Sequence, residues 1–536
     1  MTQPFAPVRG YAQPPDYGPS PSEDAAARLY DVCIIGSGAA GAVAAHELTR
    51  AGLEVLLLEQ GPFVDEKLTF SDLIKEGERA WVRISGSCWA LHGFPGTSCN
   101  VGGGTVFYGG ASYRYRELDF DASRYFPEAD LPVAWPYRYR ELEPYYDEVE
   151  QLLGVAADPT SDPTAPPSPN AKYLPPVDRS RAGARLAEAG AGLGLTPFPT
   201  PLAIATVPYR GREACDRESP CIEQRCARGA KGDVVTTLLA PLLRTEHSFT
   251  LLAGMKVARL ERDARGAVAR ALSRRVDTGK PYMFRAKQFM VACGAIESAA
   301  LLLRSADGFS PSGLGNEADL VGRGLCFKAS EWVEGWHEDP ATPDRALVTN
   351  RGPFSTVSFT DYYQDAAAPG GLGGLIYEAG LGAPHRVRAA DVPMRIEAIL
   401  ADMPSRENRV LLARDEGPSG LPRTVMDYTP HPRDRARLEH MVERCEALLR
   451  AAGCKALRRS GKDFRLGGGH LHGTCRGGDD PATSVVDPWS RVHTADNLYV
   501  IDGAFMPYPG GVNPTLTIQA HALRCARHLA AQLRGG

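Results

Sequence analysis

Four groups of residues in this chain have types and spacings that suit chemistry. Near the C-terminus "GGGHLHGTCRGG" carries His470 and His472 inside a run of glycines. An imidazole with an ordinary pKa near neutrality suits a proton acceptor. In an extended segment residues i and i+2 face the same way, so periodicity does not rank the two rings. Further on, "GGVNPTL" holds Asn513, whose carboxamide can donate to an oxygen. At the front "IIGSGAAG" places Gly36, Gly38 and Gly41 ahead of an acidic Glu59. Cys215, Cys221 and Cys226 gather in "CDRESPCIEQRC".

The front group has the clearest context. The β-branched run Val32, Ile34, Ile35 leads into the glycines and then into an Ala-rich helical stretch, which reads as strand, tight turn and helix. Gly36 permits the turn, Gly38 lets a pyrophosphate approach the backbone, and Gly41 lets the helix lie close to the strand. The phosphates then meet the positive helix N-terminus. A second strand, "LEVLLLE", ends in Glu59 about 20 residues on, where a carboxylate accepts from a ribose diol. NAD or FAD would fill such a site. FAD is favoured because the remaining Rossmann pieces are spread along the whole chain rather than completed at once.

Those pieces are "FTLLAGMKVARLER", read as strands, and "FMVACGAIESAALLLRS", read as a buried strand, a turn at Gly294 and a helix. "NLYVIDG" is a further strand, followed by a loop and a helix with Asn513 as its N-cap and Pro514 at its first position. Other segments look different. "YRELEPYYDEVEQLLGV" is helical, "MRIEAILADM" and "NRVLLAR" alternate as strands, and "PRDRARLEHMVERCEALLRAAG" is an amphipathic helix. The expected fold is an α/β (α+β) two-domain architecture. A Rossmann-like FAD-binding domain would take residues 28–125, 201–327 and 466–536. A discontinuous substrate domain on an antiparallel or mixed sheet would take 126–200 and 328–465, and residues 1–27 would form a disordered tail.

Composition removes several classes. Sixty basic against 64 acidic residues leave a net charge of −4, with no polybasic field for nucleic acid. The first residues lack the basic start and apolar stretch of a secretory signal, and no run reaches the ~18 apolar residues of a membrane span. A cytoplasmic protein is expected, in keeping with cysteines scattered singly through apolar segments. The Cys215, Cys221, Cys226 spacing is too loose for a zinc site and has no fourth ligand in view, so no metal is expected.

Taken together, "IIGSGAAGAVAAHEL…LLLEQG", "CNVGGGTVFYGGASYRYRELDF", "ACGAIES" and "HLHGTCRGG…VVDPWSRV…NLYVIDGAFMPYPGGVNPTLTIQA" resemble the glucose–methanol–choline (GMC) oxidoreductases, in the same order along most of the chain. The resemblance implies an FAD-dependent alcohol oxidase or dehydrogenase that moves hydride from a sugar-type hydroxyl to flavin N5. A histidine three residues before a Gly-Thr pair is that family's base. Counted back from Gly473 and Thr474 it is His470, with Asn513 as partner and His472 a neighbour near substrate. Cofactor contacts are implied for Gly102, Gly103, Tyr108, Gly109 and Val257, and for Asp502, Gly503, Pro514 and Thr515. Pyranose oxidases of this family attach FAD through a histidine after a Gly-Gly pair. Aligned on Val101, Gly102 and Gly103, this chain has Phe107 there, which implies non-covalent FAD.

"GGGTVFYGGASYRYRELDFD" and "WPYRYRELEPYYDEVE" are similar to the subgroup that oxidises the primary 6′-hydroxyl of aminoglycosides to an aldehyde in antibiotic biosynthesis. A cationic aminosugar calls for carboxylates, and Glu397 or Asp402 of "MRIEAILADM" could serve. Oxidation of a ring secondary hydroxyl of a neutral sugar fits the same catalytic motif. A flavin-binding protein without chemistry is the alternative from another class, against which the intact His470 and Asn513 argue.

Overall fold

The computed structural model describes residues 16–65, 79–86, 90–93, 98–158, 160–218, 221–337, 352–380, 394–417, 419–459, 465–466 and 469–535. At its centre a parallel arrangement runs Phe249–Leu252, Val55–Leu58, Leu29–Ile35, Pro281–Val291, with Leu498–Val500 beside the last of these. Where these strands pair at the centre of the sheet they are apolar, because helices cover them. Val32, Ile34, Leu56 and Leu57 are fully buried, as parallel strands require. The Pro281–Val291 strand is long enough to pair at its start, antiparallel, with Val268–Arg275, which pairs in turn with Met255–Arg262. The Ala39–Arg50 helix packs against the final helix, Thr515–Gly535, so the two glycine-marked ends of the chain meet.

The second sheet is antiparallel, in the order Ser358–Phe359, Leu375–Glu378, Met394–Ala401, Lys328–His337, Cys454–Arg459. Its covering helix, Pro432–Ala451, buries Leu438, Met441, Val442, Cys445, Leu448 and Leu449, the positions that its periodicity marks. One register governs the site. Trp332 lies opposite Glu397, and Glu397 opposite Tyr377, so three adjacent strands present one row of side chains on the same face.

Three expectations change. Residues 16–27 are not a disordered tail: Asp16 bridges to Phe63, Arg275 donates to the carbonyls of Gly18 and Pro19, and Ser22 caps the helix Glu23–Ala27. A buried guanidinium in need of acceptors pins that segment. The domain boundaries cut across real units, because Arg79–Ile84 pairs in parallel with Pro422–Tyr428, and Tyr139–Leu153 packs on the final helix. Such long-range pairings leave no local mark on a sequence. Finally, the last helix begins at Thr515, with the Pro514 carbonyl taking the first helical bond from Ile518, so Asn513 is released from capping.

Candidate active site

One cavity of about 520 Å³ runs from the glycine turn at the front of the chain to His470 and Asn513. Its floor is the N-terminus of Ala39–Arg50. A Cβ on Gly41 would fall 1.9 Å from the Gly36 carbonyl oxygen, so helix and strand touch there, whereas a Cβ on Gly38 would meet nothing within 4 Å. Gly38 therefore leaves the backbone at the helix N-terminus open to an approaching group. Glu59 lies beside it, fully enclosed. One oxygen accepts from the Ser37 amide and hydroxyl and the other from the Gly61 amide, and burial raises its pKa despite those bonds.

Of the other residues singled out in the sequence, Gly36, Gly103, Tyr108, Gly109, Val257, Asp502, Gly503, Pro514 and Thr515 line this cavity. Gly41 and Gly102 do not. Gly102 stands behind the wall and donates its amide to the Ser37 hydroxyl. Tyr108 donates to the Gly232 carbonyl, and Gly109 is kept bare by the Phe354 ring, which a Cβ would approach to 2.5 Å. Asp502 takes bonds from the Gly294 and Ala504 amides and the Ser298 hydroxyl, with burial raising its pKa. Phe107 lines the cavity, where the resemblance places a histidine in pyranose oxidases. A long enclosure with a phosphate-accepting turn, a carboxylate at the ribose distance along the fold and an apolar throat fits FAD.

At the far end the Asn513 amide nitrogen lies 3.4 Å from His470 Nε2. His470 Nδ1 and Asn513 Oδ1 are enclosed without a protein partner. Burial, and secondarily the Lys328 ammonium, push the His470 pKa down to about 3, so the ring is neutral and able to accept a proton. Tyr377 Oη donates to Glu397 at 2.5 Å and also engages the Asn513 side chain. A chain of contacts thus runs His470, Asn513, Tyr377, Glu397, all on the cavity wall beside Trp332, Ser330 and Phe354.

Two residues expected near substrate lie elsewhere. His472 is fully buried and outside the lining. Its backbone pairs with Cys326, and both ring nitrogens are shut away from the cavity. Positive φ angles at Gly469 and Gly473 turn the chain on both sides, so the two-residue repeat of a strand does not hold and the two histidines part. Asp402 follows the end of its strand at Ala401 and is of opposite parity to Glu397. It accepts from the Phe327 amide and Tyr428 hydroxyl, and burial pushes it up to about 8. Tyr377, Trp332 and Phe354 were missed in the sequence, where only the alternation of "SEWVEG" and "LIYEAG" hinted at a facing row.

The wall also holds Lys256, Glu297 and Arg304. Although burial opposes it, Arg304 and Lys256 hold the Glu297 carboxyl down to about 2. Cys99 lies near the turn, accepting from the Gln60 amide, with burial pushing its thiol up to about 12. Cys88 lies outside the described residues. Cys215, Cys221 and Cys226 surround a separate small cavity. Among the described residues no group of three or more His, Cys, Asp or Glu is arranged to hold a metal ion, and no helix is long and apolar enough to cross a membrane.

A Rossmann sheet carrying a glycine turn, an antiparallel sheet facing it, and a His–Asn pair between them define a flavin-dependent alcohol oxidoreductase. The chain belongs to the GMC oxidoreductase family: the family's GMC oxidoreductase profiles match residues 202–329 and 404–522, and an FAD dependent oxidoreductase profile matches 31–67. It acts on CH–OH donors and depends on FAD. It is 48% identical over 519 residues to 6'''-hydroxyparomomycin C oxidase of Streptomyces lividus, covering 94% of this chain and 92% of that one. It is also 48% identical over 511 residues to paromamine 6'-oxidase of Streptomyces fradiae, with the same coverage. Pyridoxine 4-oxidase from Mesorbium loti shares the fold, with a TM-score of 0.67 at 20% identity over 93% of this chain and 99% of that one.

Proposed function

We propose that this protein oxidises the primary 6′-hydroxyl of an aminoglycoside to the aldehyde, as a soluble cytoplasmic enzyme of antibiotic biosynthesis with non-covalently bound FAD. Among the relatives, the two at 48% identity are named for oxidation of such molecules. The observation that carries the reading is Glu397: a carboxylate on the cavity wall, joined through Tyr377 to Asn513 beside His470. A substrate ammonium held there would bring a neighbouring hydroxymethyl group to the His–Asn pair. Trp332 and Phe354 give the flat apolar faces that a sugar ring needs.

In this reading His470 Nε2 accepts the hydroxyl proton, which its depressed pKa permits at any pH well above about 3. The Asn513 amide donates to the oxygen as it becomes negative, and Tyr377 fixes the orientation of that amide. The N-terminus of Thr515–Gly535 adds a positive end close by. FAD, when bound, supplies the two-electron acceptor. Gly36, Gly38, Gly103 and Val257 would line its length, Glu59 its ribose, and Tyr108, Gly109, Asp502, Gly503, Pro514 and Thr515 the remaining walls. Phe107 offers no nucleophilic atom for a covalent link, and the Cys99 thiol is held protonated by burial.

The test is anaerobic mixing of purified protein with paromamine and, separately, with neutral hexoses and methyl glycosides. Paromamine should bleach the flavin and yield one 6′-aldehyde per flavin reduced. Bleaching by the neutral sugars alone, with oxidation at a ring carbon, would overturn the aminoglycoside reading. Denaturation should release the flavin; flavin that stays on the polypeptide would refute non-covalent binding.

A further inference from the structure

Lys328 is buried completely, yet it is neither in the cavity lining nor paired with a carboxylate by a direct hydrogen bond. Its Nζ donates instead to the carbonyls of Pro509 and Gly510, the turn that delivers Asn513. Tyr115 donates to the same Pro509 carbonyl, and its ring lies 5.4 Å from Nζ. The next amide, Gly511, donates to Tyr363 Oη, which is held in turn by Asp119. Three buried side chains therefore grip three successive residues, ending two positions before Asn513. Gripping of this kind fits a loop released from helix capping, since Asn513 must be held for His470 by something other than the helix.

We infer that Lys328 is a positioning residue: its ammonium clamps the Pro509–Gly510 carbonyls, sets Asn513 against His470, and presents a positive charge behind the base. The groups that face it are Tyr115, Cys326, Asp119, Asp402, His470 and His472. Burial lowers its own pKa to about 7, and the charge of Asp119 works the other way. Its charge adds to burial in opposing protonation of both histidines. The inference rests on the assignment of His470 and Asn513 to the reaction and not on the choice of alcohol.

The experiment compares wild type, Lys328→Met, Lys328→Gln and Lys328→Arg, each loaded with FAD. Its readouts are FAD retention, the melting transition, the substrate dissociation constant, and the limiting rate of anaerobic flavin reduction from pH 5 to 9. Paromamine is the probe, or a neutral hexose if paromamine leaves the wild-type flavin oxidised, so that a failed substrate reading is recognised separately. Lys328→Met should keep FAD and the dissociation constant while the limiting rate falls about 100-fold, the scale of a small misplacement at a reacting pair. Its acid limb, which in wild type lies below this pH range, should move up toward pH 5, because His470 no longer faces a cation. Lys328→Arg should recover part of the rate and restore the acid limb. Wild-type rates in Lys328→Met overturn the inference. So does a loss confined to FAD retention and melting in both neutral variants, which would make Lys328 part of the scaffold alone.

Discussion

The two ends of the cavity are built in opposite ways. At the dinucleotide end, Gly36, Gly38, Gly41 and Glu59 all fall in one strand–turn–helix–strand unit, residues 29–59, and the contact of Gly41 with Gly36 and the bonds from Ser37 to Glu59 lie inside it. At the alcohol end, Trp332, Tyr377 and Glu397 come from three strands, and His470 and Asn513 from two loops. The first is a local structure that any helix N-terminus preceded by the right turn can make. The second exists only once an antiparallel register is fixed, since a slip by one residue would turn the whole row to the other face. In the proposed reading, phosphate binding is thereby local, while alcohol choice hangs on the register of one sheet.

That difference can be broken at several points. The largest effect should come from His470→Ala, slowing anaerobic flavin reduction by about 10²–10⁴-fold with FAD still bound. His472→Ala should slow it far less, because the ring lies outside the cavity; stopped-flow on both decides, and a slower His472 variant would put the base on the wrong histidine. Next, Glu397→Gln and Tyr377→Phe should each lower kcat/KM for paromamine by about 10–100-fold, the scale of losing a charge-assisted hydrogen bond. Rates on neutral alcohols should change little in the Glu397 variant. Equal losses on both substrate types would show that Glu397 serves the fold and not the ammonium.

At the other end, Glu59→Ala should weaken FAD retention by about 1.5–3 kcal/mol, read as a dissociation constant, while the saturated variant still turns over. Unchanged affinity would remove Glu59 from the ribose. The smallest effect is expected for Asp402→Asn. With its carboxyl raised to about 8, Asp402 is protonated at neutral pH and stands off the cavity, so the substrate dissociation constant should not move. A clear weakening would restore it as a substrate ligand. The pH dependence carries a sign as well. Because the His470 pKa is depressed, the base stays neutral as pH falls from 8 to 5, and the limiting rate in wild type should show no acid limb near 6.5.

How much was legible in the sequence follows the same division. The glycine turn, Glu59 and the helix Pro432–Ala451 could be read because turn chemistry and periodicity are local. The His470–Asn513 pair follows from family resemblance, and the structure brings the two side chains to 3.4 Å of each other. Tyr377 was not reached, because nothing in "LIYEAG" tells which strand will stand beside it. Asp402 was misplaced by an argument from charge alone: parity along Met394–Ala401 separates it from Glu397, and that parity was available. The equivalence of His470 and His472 failed for a different reason. It assumed a regular strand, and the positive φ angles at Gly469 and Gly473 show a turned segment with a single bridge at His472.

Anaerobic stopped-flow with paromamine carrying deuterium at both C6′ positions tests oxidation at that carbon most directly. Removal of a C6′ hydrogen as His470 takes the hydroxyl proton predicts that flavin bleaching slows several-fold against unlabelled paromamine, and that the aldehyde formed retains one deuterium. Equal bleaching rates together with a product that keeps both deuterium atoms would place the oxidation at another carbon and contradict it.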